Sequence, residues 1–380
     1  MNRLLAEAVP VFALARTSLG YVLLDRIGLQ EIAQRLSGKV EWGAPDLIGH
    51  LSRKTPPARR RAYGDLRRFA RARCVTGRLT RMLTRHVPDG CVYLNIGHSN
   101  LRDEVFDAWR AVPGAQIAVF VHDTIPIDYP HYQRPGTPEL FEAKLRRVSA
   151  HADLVIYNSH VTRSDAEKWF ARFGRCPLGV VAHLGVAMPR PNPADLPENV
   201  DTSNPYFVTI GTIEPRKNHT LLLDVWDQFA AELPQDRIPR LVLVGSRGWA
   251  NEDVFRRLDA SVLTDHVIFE RSGLSDGAMA ALLAGSHGLL CPSHVEGFGL
   301  PPAEAAMLNV PVICRKLAVY EEFLEDIPVY VESGDVYLWK QSISRLMQNK
   351  KATHKRDSQA DPQASFPTWD DHFNIVLKLT

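Results

Sequence analysis

The stretch Glu296-Gly-Phe-Gly-Leu-Pro-Pro-Ala-Glu304 sets two glutamates eight positions apart around a glycine-rich turn. Before it, His287-Gly-Leu-Leu-Cys291 reads as a short buried strand. After it, residues 303–308 read as a helix, and Pro301 and Pro302 stand where a helix begins. A strand, a glycine turn and a helix N-terminus make a corner that suits phosphate. Backbone N–H groups point out of the turn, and the helix dipole favours an anion there. The flanking carboxylates cannot hold phosphate, because like charges repel. They suit hydroxyl groups on either side of it. Sugar, pyrophosphate and ribose follow one another in that way in a sugar nucleotide.

A second motif lies about 90 residues upstream, Tyr206-Phe-Val-Thr-Ile-Gly211-Thr-Ile-Glu-Pro-Arg216-Lys217-Asn218. Around both motifs, buried apolar runs alternate with helical ones. Strands are expected at 91–96, 116–121, 153–157 and 179–183, then at 206–210, 240–244, 266–269, 287–291 and 310–313. Helices are expected at 138–151 and 161–173, then at 218–231, 251–260, 275–284 and 301–308. Such alternation predicts an α/β chain with doubly wound parallel sheets. Gly211 and Gly245 end strands at the carboxyl edge, where these sheets bind ligands. A polar, proline-rich stretch from Pro189 to Pro205 separates the halves. Residues 1–40 read as helical, from a loose stripe that includes Leu4, Leu5, Val9, Phe12, Leu19, Val22, Leu23, Ile27 and Ile32.

On these residues the chain resembles glycosyltransferase family 4, the retaining GT-B enzymes. Glu296 and Glu304 match the family's E-x7-E signature, and Tyr206 to Asn218 is similar to the strand–loop–helix that opens its donor domain. The resemblance covers roughly residues 115–335 and is weak before residue 90. It implies two Rossmann-like doubly wound domains facing a cleft. Residues 1–195 would bind the acceptor, with an atypical helical and basic first 90 residues. Residues 200–355 would bind the sugar nucleotide, and 356–380 would form a tail crossing back to the first domain. It further implies retention of anomeric configuration by front-side attack. The loop variant is similar to that of bacterial mannosyltransferases of polysaccharide, O-antigen and lipopolysaccharide assembly, which makes GDP-mannose the first expectation for the donor. The acceptor would be a saccharide or a polyprenyl-diphosphate-linked saccharide.

Composition bounds these readings. A chain of 380 residues suits two domains. Five scattered cysteines, without C-x-x-C spacing, point to a reducing compartment and away from a zinc site. No apolar run reaches the ~18 residues of a membrane-spanning helix, and no signal-peptide pattern opens the sequence. The expected location is the cytoplasm, with the inner membrane face as a candidate surface. Net charge is only +2, but residues 52–86 hold twelve Lys or Arg against the single acid Asp65. That segment suits a solvated helix face, an anionic membrane surface or a phosphorylated acceptor. Nucleic acid is disfavoured, because no aromatic stacking platform or helix-turn-helix pattern accompanies the charge.

Glycosyl transfer needs a stabilised diphosphate, a polarised acceptor hydroxyl and a held sugar. No two aspartates stand two apart, so the Asp-x-Asp metal solution is absent, and neither metal nor cofactor is expected. Arg216 and Lys217 are then the candidates for neutralising phosphate, Arg as a fork and Lys as a point charge. Cations are disfavoured at a helix start, which argues for an anion nearby. Gly211 and Thr212 belong to the same donor loop; the family commonly has Arg where Thr212 stands. Glu296 would hold the transferred sugar, the N–H groups of Phe298, Gly299 and Leu300 the β-phosphate, and Glu304 the ribose. His122 and Asp123 end a buried strand, and the resemblance gives a histidine there contact with the donor sugar. Gly97 and His98 resemble the family's glycine loop near the leaving phosphate. Tyr129, Tyr132 and Arg134 either line the acceptor site or pack a surface loop. Asn158 and Ser159 suit a helix cap, and Ser246 and Arg247 lie where a nucleotide could be touched. Two other functions compete: a nucleotide-sugar isomerase or epimerase on the same fold, and a non-catalytic scaffold on a membrane or polymer. A nucleotide-binding oxidoreductase lacks its G-x-G-x-x-G after a first strand.

Overall fold

The computed structural model describes residues 2–51, 54–187, 189–196, 204–331, 334–348 and 366–379. The start of the tail, residues 356–365, together with residues 52 and 53 of the basic segment and residues 197–203 of the boundary stretch, lies outside them. The chain forms two compact units, 1–119 with 147–154, and 120–146 with 155–380. The division runs through two strands, Gln116–Val121 and Leu154–Tyr157.

Thirteen strands are described: β1 Ala13–Thr17, β2 Gly20–Leu24, β3 Ala72–Cys74, β4 Val92–Asn95, β5 Gln116–Val121, β6 Leu154–Tyr157, β7 Leu178–Val181, β8 Tyr206–Ile210, β9 Arg240–Val244, β10 Ile268–Arg271, β11 Gly288–Cys291, β12 Val312–Arg315 and β13 Val329–Val331. From β4 to β12, strands and the helices between them fall close to where periodicity predicts them, whereas β13 and the helices Ala318–Leu324 and Val336–Gln348 have no counterpart in the sequence reading. Strand order in the first parallel sheet is β4-β5-β6-β7. The second sheet runs β10-β9-β8-β11-β12-β13, parallel at every step. Its order reverses between β8 and β11. That is the topological switch point at which open α/β sheets leave a crevice for ligands.

This second sheet is buried on both faces. Leu241 and Leu243 of β9 join Phe207, Leu290, Ile313, Trp226 and Trp339 on one side. Val242 and Val244 join Val208, Leu289, Cys291, Val312 and Cys314 on the other. Period-2 alternation thus feeds two cores, which is why each strand reads as an unbroken apolar run. Each such side chain contributes roughly 1.5–3 kcal/mol on burial. The last helix, Trp369–Leu379, packs within the same unit. Val186 N–H donates to Pro367 O at 2.8 Å, and His372 Nδ1 lies 3.0 Å from His183 O. A Cβ on Gly185 would stand 2.2 Å from the Trp369 nitrogen, so glycine is required for this contact.

The first 90 residues bear out their helical reading in part: Asn2–Ala6 and Arg26–Leu36 are helices, and strands replace helix between and after them. β1 and β2 form a hairpin with Thr17 opposite Gly20, and β3 adds a third antiparallel strand. Gly20 has φ +132°, and a Cβ there would meet Cys74 O at 2.2 Å. This turn chemistry overrides the apolar stripe, whose spacing suits either element. The basic segment is likewise not one helix. It folds as a helix Pro57–Arg68, the strand β3, a short turn and a helix Leu79–His86. Val22, Leu24, Leu29 and Ile32 make a small core there, with Leu66 and Phe69 packed on it.

Part of the basic charge is consumed inside this unit. Asp65 is 0 % exposed and accepts from Arg35 Nε at 2.8 Å, from the Gly43 N–H at 2.9 Å and from Arg68. Arg67 holds Asp46 through two nitrogens. Removing the buried carboxylate takes one of two acid partners from Arg35, whose side chain is 11 % exposed and which keeps Glu31 at 2.8 Å, and leaves the Gly43 N–H without its acceptor. Asp65→Ala is expected to destabilise the fold by about 3–5 kcal/mol, read as a lower urea midpoint. A midpoint unchanged from the parent would show that the ion pair holds nothing.

Candidate functional site

β8 and β11 are neighbours in the sheet, so the loops that leave their carboxyl ends converge. After β8, Gly211 adopts φ +141°, and a Cβ on it would lie 2.9 Å from Lys217 Cε. Glycine therefore lets the lysine fold back over the strand end. Pro215–Lys217 forms one 3₁₀ turn, and Asn218 enters the following helix, His219–Glu232, in the left-handed region at φ +54°. Asn218 Nδ2 donates to Pro292 O at 3.3 Å, tying the two loops together.

Glu296, from the loop after β11, receives both cations. Lys217 Nζ lies 2.5 Å from its Oε1 and Arg216 Nη1 lies 2.6 Å from its Oε2. Ser293 Oγ donates to Oε1 at 2.7 Å. On its other side, Arg216 Nε donates to Glu214 Oε1 at 2.6 Å. Glu214 is only 3 % exposed. Burial works to raise the Glu296 carboxyl, and the Lys217 and Arg216 charges overcome it, leaving the group below its ordinary range. Burial dominates for Glu214 and holds it above that range despite Arg216. The cluster thus sets two cations against two acids in a poorly solvated corner.

The helix Leu300–Met307 begins at Gly299, φ +113°, where a Cβ would meet the Tyr320 ring at 2.4 Å. Among the described residues, the backbone N–H groups of Phe298, Gly299 and Leu300 have no recorded acceptor. They are the open donors of a helix start. The Phe298 side chain serves the core instead, stacked 4.5 Å from Phe323. Glu304 is half-buried, and its side chain makes no hydrogen bond or ion pair among the described residues. Burial, and then Asp276, push its carboxyl up. Thr212 is exposed and stands apart from the ion-pair cluster.

His122 and Asp123 end β5 in the same compact unit and meet the second glutamate loop. A Cβ on Gly297 would lie 3.0 Å from His122 O and from Asp123 Oδ2. Asn158 Nδ2 donates to His122 O at 2.7 Å, and Thr162 Oγ1 donates to Gly297 O at 3.3 Å. Ser159 caps the helix His160–Phe173, as its residue type predicts, whereas Asn158 is used in the bond to His122 O. Asp123 is raised by burial, although Arg216 pulls it down. Tyr132 stacks on His294 at 5.5 Å, its carbonyl accepts from Trp249 Nε1 at 3.0 Å, and Arg134 lies 5.0 Å over the Trp249 ring. Tyr129 stacks on Tyr132 at 6.2 Å. Gly97 and His98 belong to the other unit, where His98 has φ +52°. Arg247 is bound by Asp259 and Glu270 through paired contacts of 2.6–3.1 Å, so its fork is filled.

Residues 195–362 match the family model described as glycosyl transferases group 1. The match spans 168 of the 380 residues, less than half of the chain. The serotype-specific mannosyltransferase WbdA of Escherichia coli is 28% identical over 288 residues, covering 72% of this chain and 34% of that protein. The O-antigen chain mannosyltransferase B of Escherichia coli is 30% identical over 166 residues, 44% of this chain and 43% of that one. This chain therefore spans about a third of the length of WbdA. Among solved structures, Anabaena HepE in complex with UDP-glucose superposes with a TM-score of 0.61 at 17% identity, covering 80% of this chain and 81% of that one. The fold is GT-B, with two Rossmann-like sheets flanked by helices.

Several neighbours of this site are not identified by the sequence reading. Glu214 and Ser293 adjoin the motifs in sequence, and a buried acid beside Arg216 was the available signal. His294, Trp249 and Arg315 come together only through the fold, with Arg315 Nη1 2.7 Å from His294 Nδ1. The unpartnered Glu304 has a measurable consequence. A carboxyl raised in the folded state costs stability above its folded value and nothing once both states are protonated. Glu304→Gln is expected to melt higher than the parent at pH 7, the gain vanishing below about pH 4. Equal melting at pH 7 would contradict the raised value.

Proposed function

We propose that this protein transfers a sugar, mannose first, from GDP-mannose to a hydroxyl of a saccharide or lipid-linked saccharide, with retention and without a metal. The observation that carries the reading is the pair Arg216–Lys217 held at the switch point beside the open N–H groups of Phe298, Gly299 and Leu300. Fixed cations and dipoles aimed at a diphosphate stabilise the charge that develops as it leaves. Mannosyl transfer is supported by the relatives' names, and a nucleotide-sugar donor by the UDP-glucose of HepE.

The donor's β-phosphate would lie at the start of the helix Leu300–Met307, sharing Lys217 and Arg216 with Glu296. Glu304, unpartnered and half-buried, would take the ribose hydroxyls. Once phosphate draws the cations, the Glu296 oxygens turn to hydroxyls of the transferred sugar, with Ser293 still holding one of them. The bond from the anomeric carbon to the phosphate oxygen breaks, and the bond to the acceptor oxygen forms on the same face. The acceptor's proton passes to the departing phosphate oxygen, so no side-chain base is needed beside Glu296. His122 and Asp123 sit against Gly297 and would steady the sugar. Gly97 and His98 would serve the leaving phosphate. Residues 200–355 would take the donor, 1–195 the acceptor, and the tail would join them. Exposed Arg59, Arg73, Arg78, Arg81 and Arg85 suit an anionic membrane surface on the cytoplasmic side.

Calorimetry against a panel of sugar nucleotides tests the reading. GDP-mannose is expected to bind most tightly, and Lys217→Ala or Glu304→Ala to abolish the heat. Activity is expected to survive EDTA. A preference for another base would remove the GDP assignment, and loss on chelation with rescue by a divalent ion would remove the metal-free mechanism.

A further inference from the structure

A cavity of about 150 Å³ opens beside Glu296, lined by Asp123, Asp128, Asp165, Tyr129 and His294 among others. That volume elsewhere holds a six-membered carbon ring. No lysine or arginine is among its lining residues. The negative charge of Glu296 is met by Arg216 and Lys217, and that of Asp165 by Lys168 at 2.8 Å. Asp128 has no cation partner among the described residues. It is held instead by Trp169 Nε1 at 2.8 Å and by the Thr124 hydroxyl, which fix its carboxylate and leave acceptor capacity on it. Asp123 accepts only the Ile125 N–H, at 3.0 Å, on Oδ1. Tyr129 at the rim is braced by Tyr132, itself stacked on His294.

We propose that this cavity is the subsite for the receiving end of the acceptor, and that it selects an uncharged pyranose. The inference rests on the glycosyltransferase reading above. Carboxylates accept hydroxyl hydrogen bonds and disfavour phosphate or uronate, whose charge would lie against Asp123 and Asp128, on which Arg216 and Lys168 act only from beyond salt-bridge distance. Aromatic rims offer the apolar face of a sugar ring a dry surface. An anionic portion of a lipid-linked acceptor must then lie outside this cavity, with only its neutral terminal ring inside. Asp128 is the discriminating residue, because the groups that bond its carboxylate directly are a hydroxyl and an indole, while the nearby Lys168 is bonded to Asp165.

The test uses the full chain and four probes: methyl α-mannopyranoside, methyl α-glucopyranoside, methyl glucuronopyranoside and mannose 6-phosphate. Binding is followed by ligand-observed NMR titration. At least one neutral glycoside is expected to bind tenfold or more tightly than either anion. Asp128→Asn is expected to narrow that ratio at least threefold, with Asp165→Asn as a second variant. Sugar-nucleotide affinity, measured alongside by calorimetry, is expected to stay within twofold in both variants. Equal binding of neutral and anionic probes, or no neutral binding at all, overturns the proposal. So does an Asp128→Asn variant that loses donor affinity, since the cavity would then belong to the donor sugar. Failure of the parent protein to bind any sugar nucleotide would instead remove the underlying reading.

Discussion

The second unit turns on one carboxylate shared by two cations. Glu296 stands between Lys217 and Arg216, with Glu214 behind the arginine. Taking these charges from water costs several kcal/mol per ion, and their attraction returns that only when the geometry is close. Here every ionic contact is 2.5–2.6 Å, and Ser293 fills a further position on Glu296. Without Glu296, two positive charges would sit in a poorly solvated corner with one buried acid. With it, the corner is electrically balanced and already holds both cations in place. Under the proposed function, a donor diphosphate would compete for formed positions rather than order flexible side chains, which lowers the entropy cost of binding.

That balance depends on how closely the backbone can approach at the switch point. A Cβ on Gly245 would lie 2.0 Å from Gly211 O, and one on Gly211 would crowd Lys217. The two glycines end β8 and β9, which pair in register from Tyr206↔Arg240 to Ile210↔Val244. Tight register brings the loops together, and glycine removes the side chains that would hold them apart. β8 also pairs with β11, Gly288 opposite Phe207 and Leu289 opposite Val208, so the loops that carry Lys217 and Glu296 leave adjacent strands and the ion pair is positioned by strand pairing.

Legibility followed the range of the interactions. The strand–helix alternation, the carboxyl-edge glycines and the two motifs are local patterns, and all were readable. The pairing of Arg216 and Lys217 with Glu296 joins residues about 80 apart. Sequence suggested a shared site but not that these groups would bind each other. Tyr132 on His294 spans 162 positions, with nothing local to announce it. In the first 90 residues the local signal itself misled. Leu19, Val22 and Leu23 fit a helical stripe, yet Gly20 at φ +132° turns the chain into a hairpin. Leu4, Leu5, Ile27 and Ile32 of the same stripe do lie in helices, so the turn at Gly20 changed only the middle of it, where apolar spacing over so short a run fits either period.

Charge follows two different logics in the two units. In the second, cations and acids match within hydrogen-bond distance, so their field is short-ranged and their value is positional. In the first, Asp25, Glu41, Asp46 and Asp65 meet Arg71, Arg61, Arg67 and Arg68, pairing only part of the basic segment. The arginines left over are exposed on and around Leu79–His86. Their field is screened within about 8 Å at physiological salt. It therefore acts on whatever touches that surface and not on distant partners. The paired arginines build the fold and the unpaired ones face solvent, so the charge of +11 read from the sequence overstates the attraction this surface exerts. An anionic partner would be held by a handful of exposed guanidinium groups, each screened singly, and its binding would weaken steeply as salt rises.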